Sequence, residues 1–303
     1  MVTQERMSYL ARHPRELAGA AARRVRRRLD TSAPRCLVCG STDLREQVVE
    51  RAAPLPRPGR YELRICQTCQ YVSNPGNTVD YTAFTSVERF KLTPRVGTED
   101  HQGREFHMAR MGADVLQRSS LDVMVFGAGR SLDYRHIAKL PQVRSVVMSD
   151  VVDLGVDADF INITEGTDRR FDLIIACEVV EHFTDPATEF PRLFDLLTKD
   201  GLLVCSTNIF NGGDLQKQRY LYSPGHVSYY SPRAIRRIAE RNRMRFDFRL
   251  PAIANGSPGP RKRYVLFTRS ARNLRNVAEY FGGRPYAPSE DVRAMEEAGA
   301  RSG

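Results

Sequence analysis

VFGAGRS, residues 125–131, follows the apolar run LDVM at 121–124 and precedes a helix predicted near 131–139. Gly127 and Gly129 lack side chains, so the backbone there can turn tightly and approach a ligand closely. Phe126, Gly127, Ala128 and Gly129 thus make a candidate nucleotide loop, although a lone Gly-x-Gly also serves as an ordinary strand-to-helix turn. The next apolar run, VRSVVMSD, ends in Asp150, 21 residues after Gly129. A carboxylate at that spacing suits the hydroxyls of a ribose. In an open α/β sheet both strand ends lie at the carboxyl edge, where ligands bind.

Strands and helices alternate from residue 121 onward. LDVMVF, VRSVVMSD, ADFINI, FDLIIAC and GLLVCST read as five successive strands, and RFDFRL and RYVLFT as a closing pair. Helices are predicted near 186–198, where Pro186 suits a first helical turn, and over SPRAIRRIAERN. This order predicts a largely parallel α/β sheet. The stretch between Asp150 and ADFINI is short, which predicts a truncated or missing helix there.

Upstream, Cys36-Leu-Val-Cys39 and Cys66-Gln-Thr-Cys69 form two knuckles separated by 26 residues. Such pairs in a chain without a secretory signal read as metal ligands rather than disulfides. Four thiolates make a closed tetrahedral shell, so the metal is expected to be structural; zinc is the commoner occupant and rubredoxin-like iron fits the same ligands. Residues 52–60, AAPLPRPGR, read as a loop between two ribbon hairpins. Cys177 and Cys205 stand alone in apolar runs and read as core. The domain plan is a basic arm at 1–35, a metal-binding module at 36–77, a helical bridge at 78–120, an α/β domain at 121–270 and a tail at 271–303.

The 303-residue chain carries a net charge of +10. Six of those charges arise in residues 1–35, which hold nine arginines against three acids. The basic excess therefore belongs mainly to an arm that can meet nucleic acid, an anionic partner or a membrane surface, or remain a solvated extension. No apolar run reaches the roughly 20 residues of a membrane span, and the N-terminus has no signal-peptide pattern. A cytoplasmic location is the expectation.

FDLIIACEVVEHFTDP at 171–186, followed by LFDLLTKDGLLVCSTN, strongly resembles class I S-adenosylmethionine-dependent methyltransferases. The matching residues are Phe171-Asp172, Glu181-His182, Asp185-Pro186 and Lys199-Asp200-Gly201. GHVSYYSPRAI at 225–235 resembles the segment that borders the acceptor pocket in the same group. The run from the first knuckle to Tyr71-Val72-Ser73-Asn74-Pro75 resembles a zinc module fused to enzymes of sugar and secondary-metabolite methylation.

The resemblance implies a Rossmann-like seven-stranded sheet behind a small zinc-ribbon-like module. It implies S-adenosylmethionine over Gly127 and Gly129, ribose on Asp150, and adenine near Asn162 and Cys177. Glu178 would face the methionine end or the acceptor. His226 is the first candidate base, since an imidazole can take a hydroxyl proton at neutral pH, and His182 the second. Tyr229 and Tyr230 either line the acceptor pocket or pack against the sheet.

The implied acceptor is a small molecule, sugar-containing or polysaccharide-linked, methylated on oxygen or carbon. An rRNA or tRNA methyltransferase using the basic arm, and a non-catalytic scaffold, are the alternatives. Val125, where the family carries an acid, and Ser131, where a third loop glycine is common, depart from the pattern.

Overall fold

The computed structural model describes residues 34–52, 58–81, 96–153, 155, 157–249 and 262–282. The basic arm up to residue 33 and the tail from 283 lie outside the described residues. Among the described residues no helix is long and apolar enough to cross a membrane.

Seven strands form the main sheet: β4 (Leu121–Phe126), β5 (Val143–Asp150), β6 (Asp159–Asn162), β7 (Phe171–Cys177), β8 (Leu197–Asn208), β10 (Arg245–Arg249) and β11 (Lys262–Thr268). Their spatial order is β10-β11-β8-β7-β4-β5-β6. β8, β7, β4, β5 and β6 pair in parallel, while β11 runs antiparallel to both neighbours. This is the seven-stranded Rossmann-like arrangement that the sequence implies. Every residue of β7 is buried, as a central strand covered on both faces requires.

Five helices are described: α1 (Arg104–Leu116), α2 (Asp133–Ile137), α3 (Pro186–Asp195), α4 (Pro232–Arg241) and α5 (Ala271–Tyr280). Met108, Met111 and Leu116 of α1, Ile137 of α2 and Val277 of α5 form the core on one face of the sheet. Phe190 and Phe194 of α3 and Ile235 and Ile238 of α4 form it on the other. Both α3 and α4 begin with proline, and the Ser231 side chain accepts the Ala234 N–H at the start of α4. Gly112 lets α1 lie close on β7: a Cβ there would sit 2.6 Å from Leu173 Cδ1. No helix occurs between β5 and β6 among the described residues, as the short spacing predicts.

A second, four-stranded sheet has the order β1-β2-β3-β9. β1 (Leu44–Arg51), β2 (Gly59–Cys66) and β3 (Val72–Ser73) belong to the cysteine module, and β9 (Ser228–Tyr229) is contributed from beyond β8. β1 and β2 are the two arms of a single hairpin, pairing from Leu44–Cys66 to Arg51–Gly59. The stretch between them therefore joins the arms of one hairpin rather than two hairpins, and its residues 53–57 lie outside the described residues.

α1 is held onto the glycine loop by a buried polar cluster. Asp133, at the start of α2, accepts the N–H groups of Gly103 at 2.7 Å and Phe106 at 3.1 Å. These are first-turn donors of α1 with no partner inside the helix, so α2 caps α1 from across the fold. Ser131 joins the same cluster, donating to Glu105 at 3.3 Å and accepting the Asp133 N–H. Burial, reinforced by Asp133, pushes the Glu105 carboxyl up to about 7.

Asp133→Ala would strand two buried N–H groups. A loss of about 3 kcal/mol is expected in urea unfolding. Glu105 gives a pH signature. The folded chain keeps a proton that the unfolded chain releases near the ordinary 4.5. The folded state thus binds more protons between about 4.5 and 7, and stability falls as pH rises through that window. Glu105→Gln removes this loss. Its melting temperature should match or trail the wild type at pH 5 and exceed it at pH 8, by up to roughly 3 kcal/mol of stability.

Candidate functional site

The carboxyl ends of β4, β5 and β7 lie side by side. Phe126 pairs with Ser149 on one side and Ala176 on the other, so Gly127, Asp150 and Cys177 leave the sheet together. The strand order reverses direction at β4, which makes this edge the topological switch point of the sheet.

Gly127 and Gly129 have φ values of +67° and +53°, in the left-handed region that favours glycine. A Cβ on Gly127 would meet Val179 Cγ2 at 2.5 Å, whereas one on Gly129 would meet nothing within 4 Å. The loop is thus packed behind Gly127 and open beside Gly129. The Gly129 N–H donates to Asp150 Oδ2 at 3.0 Å, and the Val151 N–H to Oδ1 at 2.7 Å. Burial raises the Asp150 carboxyl above its usual range, and these N–H groups oppose it. Ala128 is buried in the core, and Phe126 meets Phe183 edge-on.

The two departures acquire structural reasons. Val125 is buried in β4, within the cluster that includes Phe106, Cys177 and Tyr264. Ser131 is needed as a serine because its hydroxyl bridges Glu105 and the Asp133 N–H. Glu105 brings a carboxyl from α1 to this side of the loop, although position 125 has none.

Cys177 is buried, and burial raises its thiol well above the ordinary range. Glu178 follows with φ +57°, a strained conformation for a residue with a side chain, of the kind that clusters at functional sites. Its Oε1 accepts the Ser206 hydroxyl at 2.8 Å, and its Oε2 lies 3.8 Å from the Arg104 guanidinium. Burial works against the Arg104 charge, but the carboxyl groups around it, Glu178 first, outweigh it and hold the guanidinium above its usual pKa. The buried Arg104 Nε has no hydrogen-bond partner among the described residues. Arg104 is a site candidate that the sequence motifs do not single out. Asn162 ends β6, where its Oδ1 accepts the N–H and hydroxyl of Thr164.

A polar cluster stands beyond Glu178. The rings of His182 and His226 are 5.0 Å apart, and the Tyr220 ring lies 4.3 Å from His226. His182 Nδ1 is 2.9 Å from both the Tyr81 hydroxyl and the Gly225 carbonyl. A carbonyl can only accept, so Nδ1 carries the proton. Burial lowers the His182 pKa and favours the neutral ring. Tyr220 donates to the fully buried Glu181 at 2.6 Å, and burial together with Glu181 raises its phenol well above 10. Tyr81 and Tyr220 are also absent from the sequence reading, since only the fold brings them to the histidines.

Tyr229 packs against Phe210 and Tyr220. Tyr230 is wholly buried; its hydroxyl donates to the Val180 carbonyl and its ring meets Tyr71 and Phe190.

All four knuckle cysteines converge. Cys36 and Cys69 sulfurs are 3.6 Å apart, those of Cys39 and Cys66 are 3.5 Å apart, and all four lie within 4.8 Å of one another. No disulfide forms among them. The Val38 and Cys69 N–H groups point at the sulfurs of Cys36 and Cys66. Tetrahedral zinc with Zn–S bonds of about 2.3 Å needs sulfurs roughly 3.8 Å apart, so this donor set fits it.

Residues 100–242 match the family described as Methyltransferase domain. A ubiquinone biosynthesis O-methyltransferase from Cereibacter sphaeroides is 33% identical over 104 residues. The match covers 33% of this chain and 34% of that protein, so the chain spans about a third of the length of this curated relative. An S-adenosylmethionine-dependent methyltransferase from Mesorhizobium loti has 14% identity, covering 53% of this chain and 94% of that one at a TM-score of 0.41. A 1,6-didemethyltoxoflavin-N1-methyltransferase from Burkholderia thailandensis, solved with S-adenosylhomocysteine, has 19% identity over 54% and 77% of the two chains at a TM-score of 0.37. Residues 100–242, a little under half of the chain, thus match a methyltransferase domain model within a sheet of Rossmann-like order, and a four-cysteine module precedes them.

Proposed function

We propose that this chain methylates a small, hydroxyl-bearing acceptor, sugar-containing or polysaccharide-linked, using S-adenosylmethionine, and that zinc holds its cysteine module together. The observation that carries this reading is the pairing of a nucleoside-type strand edge, Gly129 with Asp150, with the histidine–tyrosine cluster beyond Glu178.

The cofactor supplies a methyl group made electrophilic by its sulfonium. Gly129 would leave room for it, and Asp150, which now accepts the Gly129 N–H, would hold the ribose hydroxyls. The Arg104 guanidinium would hold the methionine carboxylate, and the end of β6 at Asn162 would hold the base. Catalysis then needs alignment and removal of one proton. His226 takes that proton from the acceptor hydroxyl, while His182, held neutral and fixed through Nδ1, orients the acceptor with Tyr81. Tyr220 keeps its proton and donates it to Glu181, so its ring, rather than its hydroxyl, is what it offers beside His226. A cluster rich in donors and acceptors suits a hydroxylated acceptor better than an apolar one.

Calorimetric titration with S-adenosylhomocysteine tests the cofactor half. Micromolar affinity is expected, and Asp150→Ala should weaken it at least tenfold, about 1.4 kcal/mol. Absence of binding at millimolar ligand would remove the proposal. For the metal, elemental analysis should find about one zinc per chain, falling to a small fraction in Cys69→Ser. An equimolar iron content with the red colour of an iron–thiolate centre would replace zinc by iron.

A further inference from the structure

The cysteine module does more than precede the methyltransferase domain: apart from bonds of Glu50 and Arg51 to Gln216 and of Val38 to Arg241, its hydrogen bonds to that domain gather on one loop. β3 pairs with β9, matching Val72 to Tyr229 and Ser73 to Ser228. The Asn74 N–H donates to the Val227 carbonyl at 2.8 Å, and the Asn74 amide to the Leu221 carbonyl at 3.1 Å. The Asn77 amide donates to the carbonyls of Ser223 at 2.6 Å and His226 at 3.1 Å. Tyr71 and Ser228 hydroxyls lie 2.5 Å apart, and Ser228 donates onward to the Phe183 carbonyl. The Ser231 hydroxyl donates to the carbonyl of Cys69, itself a knuckle residue.

Residues 221–231 are thus clamped between the module and the turn that carries His182. The Val227 N–H closes the clamp on the Glu181 carbonyl at 3.0 Å. His226 sits inside it. Its main chain is fixed by Asn77, and its ring faces His182 and Tyr220.

We propose that the module forms the supporting wall of the acceptor site, with Asn77 as a positioning residue for His226, an assignment that rests on the methyltransferase reading above. Asn77 is buried and is not a cysteine ligand. Both carbonyl acceptors of its amide lie in the 223–226 segment. What its amide stabilises is therefore the loop. Without that donor each of the two loop carbonyls loses one bond, the Ser223 carbonyl keeping the His226 N–H at 3.1 Å, and a loop held by fewer contacts opens more often. The cofactor edge at β4, β5 and β7 shares none of these bonds, so its affinity for nucleoside is expected to be independent of Asn77.

The test uses the full-length, metal-loaded chain and Asn77→Asp, which keeps the shape and removes the donor. Hydrogen exchange of amides 221–230 should accelerate at least tenfold, while those of β4–β8 stay unchanged. The S-adenosylhomocysteine affinity should remain within twofold and the zinc content should be intact. The His226 ring titration, followed by NMR, should move as its surroundings change, which a role confined to folding the module would not produce. Unchanged exchange at 221–230, or acceleration throughout the module with loss of zinc, would overturn the proposal. If Asn77→Asp does not fold, Tyr71→Phe removes only the hydroxyl facing Ser228. It should accelerate the same amides by about threefold, and no change there overturns the proposal equally. If the wild type fails to bind S-adenosylhomocysteine yet amides 221–230 respond as expected, the methyltransferase reading falls and the coupling stands.

Discussion

β4 hydrogen-bonds to β5 on one side and to β7 on the other, and the site follows from that double pairing. The registers place Phe126 beside Ser149 and Ala176, so three strands end at one level. Each strand then delivers one chemical element: the glycine turn from β4, a carboxylate from β5, and the strained Glu178 from β7. A slip of one residue in either pairing would turn Asp150 or Cys177 to the opposite face of the sheet. The apolar, fully buried β7 resists such a slip, because every residue along it has a packing partner.

The same edge concentrates charge that the fold must balance. Arg104, Glu105, Glu178 and Asp133 approach it from two helices and a strand end, and burial disfavours ionisation of Glu105. Arg104 is the group that makes this arrangement tolerable, since it faces Glu178 and shares the surroundings of Cys177 and Glu105. A bound anion there would satisfy a guanidinium whose Nε now has no partner among the described residues. Ligand binding and the local charge balance are thereby one problem, and the departure at Val125 is less costly than it looks from the motif alone. A carboxyl reaches this side of the loop from α1 instead.

Local patterns made much of this legible. The alternating strands, Gly127 and Gly129, the 21-residue spacing to Asp150 and the two Cys-x-x-Cys knuckles depend on short stretches of chain with fixed backbone demands. The missing helix between β5 and β6 was visible because too few residues separate them. Arg104, Tyr81 and Tyr220 were not legible, because nothing in their neighbourhoods distinguishes them from surface residues until the chain folds. Ser131 looked like a defect in a glycine loop when its role lies in a hydrogen bond to Glu105, 26 residues earlier. AAPLPRPGR at 52–60 reads as a link between two hairpins because prolines mark an interruption without saying which strands pair across it, and here β1 pairs with β2.

The joining of β9 to the module is a further feature that spacing did not reveal, and it has a physical cause. A unit of about 40 residues cannot bury enough apolar surface to stand alone without a staple or a neighbour. The proposed zinc would be this module's staple, and its neighbour is visible: Cys36, Val38, Cys66, Cys69 and Tyr71 share a core with Phe190, Tyr230 and Ile235 of the α/β domain. The neighbouring surface it uses includes the loop that carries His226. A module that needs that surface for its own stability also restrains it, so the requirement that lets a small cysteine unit fold makes it a wall of the site beside it.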